Sequence, residues 1–520
     1  MRRRGTVNSD SFTPSSYLNS PLSNLASSQT SSPFSGASGL PIRTEPRNFA
    51  PRSGRHITKD PPPRFGLKGL LENSSSDIST NGESLPHSQS CGNFFAPTVG
   101  SHSSVPVSDA MVLHSDIGVP EYIRNLRSKE LNELTGGPRG LPSADIALNL
   151  DHFPFIEGAR GAQPSPVHGV VKLKSIPLGT KRSEIVAMLG RNSKILNDNQ
   201  EPIHIIMERV TSKTGCAYVE FLSTEAALNV VERHQKNALN GRLTRLGDRP
   251  VDVELSSQAA LMRDLFPLAK GVYWDGPRPI IIEAHPSQPW QSFKGFITEE
   301  EMTMLVKYVE IPQRSPFTRD CPQRPYEAII SVLRKFPWYM TECITTKQRH
   351  AVYSACVALL RHLQFTMRDR KDEGFLNQQL YRRLWTSAML CHGFTVTMKD
   401  SIAFIVDLNE QQMREFNMPR FGNMWIHTYT MVPKPGAPLD VIEWYIAVIR
   451  EESSRTVDQS LPNIQAEIHR ESQHTSLYWG YFFKELDRPY GPAFDNMTLA
   501  DMANREFAAV ATILRRALPM

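Results

Sequence analysis

The sequence lacks the patterns that mark most enzymes, metal sites and membrane proteins. Its six cysteines include no CxxC pair and no cysteine–histidine spacing typical of zinc, so we expect reduced thiols and neither metal nor cofactor. It contains no phosphate-binding glycine loop, no HExxH, no GxSxG and no dinucleotide-binding glycine set. No apolar run approaches the roughly eighteen residues of a membrane span, and none follows the basic start MRRR. These absences argue against an enzyme, a small-molecule substrate and a membrane partner.

The first 110 residues lack the apolar side chains that a folded core needs. They contain 24 serines, no tryptophan and a single tyrosine, Tyr17. Such a composition buries too little apolar surface to offset the entropy lost when the chain becomes ordered. We therefore expect residues 1–110 to form a disordered tail that binds protein partners. Within it, Thr6 follows the arginines of MRRR and is a candidate phosphorylation site, although chance also explains such motifs in a serine-rich tail.

Charge is nearly balanced over the whole chain and therefore identifies no partner. The 58 lysines and arginines face 53 aspartates and glutamates, a balance that neither demands nor excludes nucleic acid. The length of 520 residues predicts roughly two to four domains. A hydrophobic content of 40% is enough for a sizeable core in part of the chain.

Residues 170–255 contain four strand-like and two helix-like stretches in the order β-α-β-β-α-β. The stretches are, in order, 171–176, 181–189, 203–209, 214–221, 223–235 and 251–255. This order predicts the split βαβ arrangement, a ferredoxin-like α+β fold with a four-stranded antiparallel sheet and two helices.

Two of these strands carry the signatures of a known family. The third strand reads TGCAYVEF (214–221) and the first VVKLKSIP (170–177), which resemble the signatures of the RNA-recognition motif (RRM) family. Cys216 and Lys172 stand where that family has stacking rings, so only Tyr218 remains of the usual three. This degenerate pattern is similar to the quasi-RRM of the heterogeneous nuclear ribonucleoprotein F/H type and to poorly characterised RRM proteins of filamentous fungi. The resemblance implies that loops hold single-stranded RNA; Leu178 and Pro250 replace the family's loop aromatics, so its guanine preference is not carried over.

Strand alternation predicts which side chains face outward. The inward set, packed under the helices, is Val171, Leu173, Ala217, Val219 and Phe221, with Val251, Val253 and Leu255 on the last strand. The outward set, expected to form an open face, is Lys172, Lys174, Thr214, Cys216, Tyr218 and Glu220, with Asp252 and Glu254 on the last strand. Stacking on an aromatic contributes about 1–3 kcal/mol per base, so a face with one ring is a weak RNA platform.

Basic residues concentrate in the loops. The segment NGRLTRLGDRP (240–250) predicts a small hairpin. Lys181 and Arg182 begin the first helix, where backbone N–H groups favour phosphate. Residues 170–255 hold thirteen basic and ten acidic side chains, so the positive charge is local, and any one arginine is also explained as a solvated surface charge. The candidate RNA-binding residues are Lys172, Lys174, Lys181, Arg182, Lys213, Tyr218, Arg242, Arg245 and Arg249.

The flanking regions predict further elements. Residues 111–166 combine a helical pattern with the aromatic pair Phe153 and Phe155, and we expect this segment to dock on the RRM (167–260), with a disordered linker as the alternative. Residues 261–290 are predicted to be a linker. All seven tryptophans lie between positions 274 and 479, where the periodicity becomes helical. We expect a helical domain at 291–430, starting with a capping box at Thr298 and including a short strand pair at 394–406, then a helical extension at 431–520 with a linker at 431–438.

Two functions from different classes remain open. The first is an RNA-binding protein that holds single-stranded RNA through loops and basic residues, with the helical domain recruiting protein partners for mRNA processing or another step of post-transcriptional regulation in a ribonucleoprotein. The second is a protein-interaction adaptor whose RRM fold no longer binds RNA. We favour the first, expect no enzymatic activity, and expect a nuclear or nucleocytoplasmic location.

Overall fold

The structure of the chain is a computed structural model that describes residues 127–137, 140–162, 164, 168–190, 192–283, 285–369 and 374–520. The predicted tail at 1–110, its candidate phosphorylation site Thr6 and residues 111–126 lie outside the described residues.

The βαββαβ unit is preceded by two short helices and one strand. These are α1 (Lys129–Thr135), α2 (Ala144–Leu148) and β1 (Phe155–Glu157). The elements of the unit are β2 (Gly169–Lys174), α3 (Arg182–Leu189), β3 (Ile203–Met207), β4 (Thr214–Phe221), α4 (Thr224–Leu239), β5 (Arg245–Leu246), β6 (Arg249–Pro250) and β7 (Asp252–Ser256). All six predicted stretches are present, and β5 and β6 form the predicted small hairpin.

The rest of the chain is mainly helical. It begins with α5 (Gln258–Leu265) and the hairpin of β8 (Val272–Asp275) and β9 (Arg278–Ile281). The later elements are α6 (Glu299–Glu310), α7 (Pro316–Asp320), α8 (Arg324–Lys335), α9 (Thr346–Asp369), α10 (Gln378–Met389), α11 (Val396–Val406), α12 (Glu410–Glu415), β10 (Met431–Pro433), α13 (Leu439–Asp458), α14 (Pro462–Ser472), α15 (Phe482–Glu485), α16 (Pro492–Asp495) and α17 (Leu499–Ala517). The capping box at the start of α6 is confirmed, because Thr298 and Glu301 exchange side-chain to backbone hydrogen bonds of 3.2 and 2.9 Å.

Four strands of the βαββαβ unit form one antiparallel sheet in the order β3-β4-β2-β7. The inward set predicted from alternation packs with α3 and α4 in a core of its own, including Val171, Ala217 and Phe221. Leu255 is the exception and is 45% exposed, because β7 is an edge strand. The α+β fold class is confirmed: an RRM-like unit followed by a mainly helical region.

The opposite face of the same sheet is covered. Helix α8 packs across β3, and α5 packs against β2. Three residues on this face, Val170, Met207 and Tyr218, belong to the same hydrophobic cluster as the helical region. The sheet therefore lies between two helical layers. One face has its own core with α3 and α4, and the other face belongs to the core of the helical region.

The segment before the unit docks on the helical region, which corrects the expectation that it docks on the RRM. Strand β1 pairs antiparallel with β10, with Phe155 opposite Pro433. Phe153 and Phe155 contact Tyr445 of α13 edge to face, at centroid distances of 5.7 and 6.0 Å. The Tyr445 hydroxyl also donates to the Ala147 carbonyl at 2.7 Å. The aromatic pair predicted to cover the RRM thus fills the helical core instead.

Three other expectations are corrected by the observed elements. The predicted linker at 261–290 contains the end of α5 and the β8–β9 hairpin, with Phe266 and Trp274 buried. The predicted strand pair at 394–406 is helix α11, which Thr395 caps by accepting from the backbone N–H of Met398. The predicted linker at 431–438 begins with β10, which the buried carboxylate of Glu506 holds through backbone N–H groups at 2.8 and 3.0 Å. In each case, burial against distant segments orders a stretch that is short or rich in turn residues.

Gly393, in the connection between α10 and α11, offers a direct test of how this connection packs against Trp338. A Cβ atom at Gly393 would lie 2.0 Å from Cε3 of the buried Trp338. We expect Gly393→Ala to lower the free energy of unfolding by about 1–3 kcal/mol, because an overpacked core displaces its neighbours. Urea denaturation measures the change, with Gly179→Ala as control, since a Cβ there meets nothing within 4 Å. Equal midpoints for Gly393→Ala and wild type would contradict this packing.

Candidate nucleic-acid interface

Tyr218, the one aromatic ring left from the RRM signature, is buried. Its side chain is 0% exposed, which corrects its prediction as an open stacking platform. The hydroxyl donates to Asp264 Oδ2 of α5 at 2.6 Å, and Lys172 Nζ donates to the same oxygen at 2.9 Å. Lys172 also lies over the Tyr218 ring, 4.9 Å from its centroid. Two of the three sheet residues expected to hold RNA, Lys172 and Tyr218, are therefore bound to the helix that covers the sheet.

The same contacts change the titration of these groups. Burial and the hydrogen bond to Asp264 raise the pKa of Tyr218. Burial raises the pKa of the Cys216 thiol to about 11, so the thiol stays protonated and weakly nucleophilic near neutral pH. Burial would lower the pKa of Lys172, but its hydrogen bonds with Tyr218 and Asp264 outweigh burial and raise it. Lys172 is therefore a structural cation.

Glu220 lies at the centre of the covered face. Alternation predicts that it is exposed, yet its carboxylate is buried and accepts from Lys335 Nζ and Gln258 Nε2, both at 2.6 Å. His204 Nε2 lies 3.1 Å from the same carboxylate, and its Nδ1 lies 3.0 Å from Ser331 Oγ of α8. Burial would raise the pKa of Glu220, but Lys335 and His204 hold it well below its usual range. This network joins β3 and β4 to α5 and α8.

The first loop of the RRM-like unit is also bound by the helical region. Arg324, at the start of α8, is fully buried and donates to the Leu178 and Thr180 carbonyls at 2.8 and 2.6 Å. It also donates to Thr214 Oγ1 at 2.9 Å and pairs with Glu327 at 2.5 Å. The loop that the quasi-RRM resemblance would assign to RNA is thus held by an arginine more than 140 residues away in sequence.

The loop between β3 and β4 is also bound by the helical region. Ser212 Oγ lies 2.7 Å from Ser315 Oγ and 2.6 Å from Thr318 Oγ1. Tyr308 of α6 donates to the Arg209 carbonyl at 3.1 Å. Lys213 stays exposed at the tip, 6.0 Å from the centroid of the Phe317 ring. Glu208 and Val210 also face solvent, so these contacts hold the loop without covering it.

The β5–β6 hairpin differs from the other loops, because its three arginines are exposed. None of Arg242, Arg245 and Arg249 forms an ion pair with another described residue. Arg245 Nη1 donates to the Asp248 carbonyl at 2.8 Å, which fixes the turn. The neighbouring Leu239 and Leu243 are 87% and 57% exposed. The hairpin therefore presents positive charge beside exposed apolar surface.

The remaining candidates contact other side chains of the protein. Lys174 pairs with Glu254 at 2.6 Å on the exposed edge of the sheet. Lys181 precedes α3 and lies over the Phe375 ring at 4.7 Å. Arg182 is mostly buried and pairs with Asp198 at 2.7 Å and Glu201 at 3.5 Å, which corrects its prediction as a phosphate contact.

Sequence reasoning missed the residues that close the face, which are Asp264, Arg324, Ser331 and Lys335. They lie on α5 and α8, where each looks like an ordinary polar residue of an amphipathic helix. The described residues contain no group of three or more histidines, cysteines or acids placed to hold a metal ion. Among the helices that the structure describes, none is long and apolar enough to cross a membrane.

Comparisons with known proteins match parts of the chain. Residues 167–276 match a family model described as a domain of unknown function (DUF8400), and residues 293–408 match another (DUF8399). No curated protein matches. Among solved structures, the chain is similar to the Glorund qRRM2 domain, with 24% identity over 19% of this chain and 98% of that one and a TM-score of 0.16. The first family segment extends past β7 to include α5, so it contains the RRM-like unit together with the first of the helices that cover its sheet.

Proposed function

We propose that this protein binds single-stranded RNA in the loop-based manner of a quasi-RRM, with the β5–β6 hairpin as the contact surface. The observation that carries the proposal is the exposure of Arg242, Arg245 and Arg249 without an ion-pair partner among the described residues. Unpaired arginines beside a phosphate backbone release counterions, which drives association with nucleic acid. Exposed Lys213 is a second basic position of the unit, and Leu239 and Leu243 offer apolar area to bases.

On this proposal the sheet packs against helices and does not contact RNA. Stacking on Tyr218 is excluded while α5 and α8 cover it, so RNA is held by charge and by the hairpin rather than by rings. The helical region and the N-terminal segment contact protein partners, and the process served is a step of post-transcriptional regulation such as mRNA processing, in the nucleus or shuttling from it. The protein has no catalytic role of its own on this proposal.

We expect replacement of the three hairpin arginines by alanine to weaken RNA binding and to flatten its salt dependence. Removal of one phosphate contact lowers the slope of log affinity against log salt by about 0.7 for a single strand. Fluorescence anisotropy of the full-length chain with random and guanine-rich single-stranded RNA at several salt concentrations measures both quantities. The matched control replaces three exposed arginines of the helical region, Arg319, Arg361 and Arg470, with alanine.

A further variant separates hairpin binding from sheet binding. Tyr218→Leu removes the ring that base stacking would need and should leave RNA affinity unchanged if the sheet stays covered. Equal loss of affinity in the hairpin variant and in the control variant would contradict a specific surface on the hairpin. A loss confined to Tyr218→Leu would instead assign binding to an opened sheet face.

A protein-interaction adaptor is the second candidate, and the covered sheet favours it. Two of the loops, and most of the face that RRM proteins use for RNA, are bound by internal contacts, whereas the β7 edge with Lys174 and Glu254 stays exposed. On this alternative the RRM-like unit is a scaffold, and the hairpin contacts an acidic protein surface. Absence of salt-sensitive binding to any RNA tested would support the adaptor.

A further inference from the structure

The β8–β9 hairpin is apolar on both of its faces. On one face, Trp274 packs in the core of the helical region, and Pro279, directly opposite it on β9, is also buried. On the other face, the directly opposite pair Tyr273 and Ile280 is exposed. An antiparallel hairpin with one buried face normally carries polar side chains on the face toward solvent. The apolar pair on the solvent face therefore calls for an explanation.

The exposed apolar surface continues beyond the two strands. Ile282 follows two residues after Ile280, and its N–H donates to the Gly271 carbonyl at 2.8 Å. A Cβ atom at Gly271 would lie 2.8 Å from the carbonyl oxygen of Gln291, so the segment that carries Trp290 runs beside the start of the hairpin. We define the apolar face by its four large side chains, which are between 49% and 60% exposed: Tyr273, Ile280, Ile282 and Trp290.

The charges around the apolar face favour a protein partner over nucleic acid. Residues 270–293 contain two basic side chains, Lys270 and Arg278, and two acidic ones, Asp275 and Glu283, all of them exposed. Without a net positive charge, this segment offers a phosphate backbone little attraction. Exposed apolar patches with a polar rim mark protein–protein interfaces, where tryptophan and tyrosine are enriched.

The tip of the hairpin makes this face complementary to itself. Asp275 lies directly opposite Arg278, and neither forms an ion pair with another described residue. Tyr273 likewise lies directly opposite Ile280. A two-fold axis along the hairpin would stack two such faces so that Asp275 of each copy meets Arg278 of the other, and Tyr273 of each meets Ile280 of the other. Sheets commonly pack face to face in this aligned way.

We propose that the apolar face is the interface of a homodimer, in which the β8–β9 hairpins of two copies pack face to face. A standard stable interface takes about 20–30 residues from each partner. The apolar face and its charged tip supply far fewer, so we expect a weak dimer with a dissociation constant in the micromolar range. This inference does not rest on RNA binding by the β5–β6 hairpin.

Analytical ultracentrifugation of the full-length chain without RNA, from about 1 to 100 µM, measures the dissociation constant. Tyr273→Thr/Ile280→Thr removes the ring and the aliphatic chain and leaves β-branched residues, which strands accept. It should raise the dissociation constant at least about tenfold, as truncation of a central interface side chain does. The matched control is Val210→Thr/Leu222→Thr, two exposed apolar residues of the RRM-like unit.

Charge reversal tests the two-fold arrangement itself. Asp275→Arg alone and Arg278→Asp alone each place like charges opposite one another in the dimer and should weaken it at least about tenfold. Mixed in equal amounts, these two variants present opposite charges at both contacts and should associate with near wild-type affinity. The double variant Asp275→Arg/Arg278→Asp should also recover this affinity, which separates charge repulsion from misfolding.

A wild type that stays monomeric over this range would overturn the proposal. So would equal dissociation constants for Tyr273→Thr/Ile280→Thr and the control, or no recovery on mixing the charge variants. A monomer whose RNA affinity falls in Tyr273→Thr/Ile280→Thr would assign the face to RNA instead. A monomer that sediments more slowly in this variant than in wild type would assign it to residues 1–126. Because the dimer is measured without RNA, its failure is distinct from failure of the proposed function.

Discussion

Replacing Arg324 with leucine is expected to lower the free energy of unfolding by about 3–5 kcal/mol, because it removes one partner of a buried ion pair. Glu327 would be left buried without its ion-pair partner, with only the more distant charges of Arg182 and Arg383 to offset its own. The Leu178 and Thr180 carbonyls and the Thr214 hydroxyl would also lose their donor. Each buried polar group left without a partner adds its own desolvation cost.

Arg324→Lys should recover little of this loss. A lysine ammonium is a compact charge and cannot reproduce the planar fork by which the guanidinium reaches two carbonyls, a hydroxyl and a carboxylate. Urea denaturation followed by tryptophan fluorescence measures the loss, and Arg319→Leu is the matched control because Arg319 is exposed and lies just ahead in α7. If Arg324→Leu unfolded at the same urea concentration as the control, the contact between α8 and the first loop would not be what joins the two regions.

The consequence for function is that the RRM-like unit should not be studied as an excised fragment. A fragment ending near 260 would expose the face of Tyr218, Glu220 and His204, which the intact chain buries under α5 and α8. Such a fragment would offer RNA a surface that the intact protein does not present. Binding measured on the fragment and binding measured on the full chain would then report different sites.

Much of the fold can be predicted from the sequence because its signals are local. The six elements of the βαββαβ unit follow from periodicity, and the capping box at Thr298 follows from residue spacing. Strand alternation also separates the two faces correctly: Val219 and Phe221 lie under α3 and α4, and Tyr218 and Glu220 point the other way. Alternation does not predict whether the second face is open to solvent or covered by other elements.

The covered face escapes prediction because its polar residues resemble a solvated surface. His204 and Glu220 are satisfied by Ser331 and Lys335, which lie more than 110 residues further along the chain. No local pattern connects such partners, because Ser331 and Lys335 are single polar residues of a kind that exposed helix faces also contain. The hairpin is predicted more successfully, since a glycine-bounded basic loop contains both its turn and its charge within a few residues. The role of its arginines in binding RNA stays a prediction.

Acidification should destabilise the protein steeply below about pH 6.5, because several histidines are held neutral by burial. Burial lowers the pKa of five histidines from the ordinary value of 6.5, and these are His168, His204, His234, His392 and His427. For His427 the pKa falls to about 4. When the pH drops below 6.5, the unfolded chain binds protons that the folded chain does not, so stability falls with pH.

The contribution of His204 can be isolated. A fully buried histidine contributes a slope of at most about 1.4 kcal/mol per pH unit between its unfolded and folded pKa values. His204→Gln should therefore lose stability less steeply than wild type between pH 6.5 and 4.5, whereas Ser331→Ala, which removes the Nδ1 partner but keeps the ring, should retain most of the slope. Below pH 4.5, Glu220 binds a proton in the unfolded chain but not in the folded chain, because its folded pKa is depressed. Wild type and both variants keep Glu220, so all three should lose further stability there.

Urea midpoints at a series of pH values measure these slopes. Parallel curves for wild type and His204→Gln would mean that the buried network titrates in the folded protein, and that the sheet face is more open to water than its packing shows.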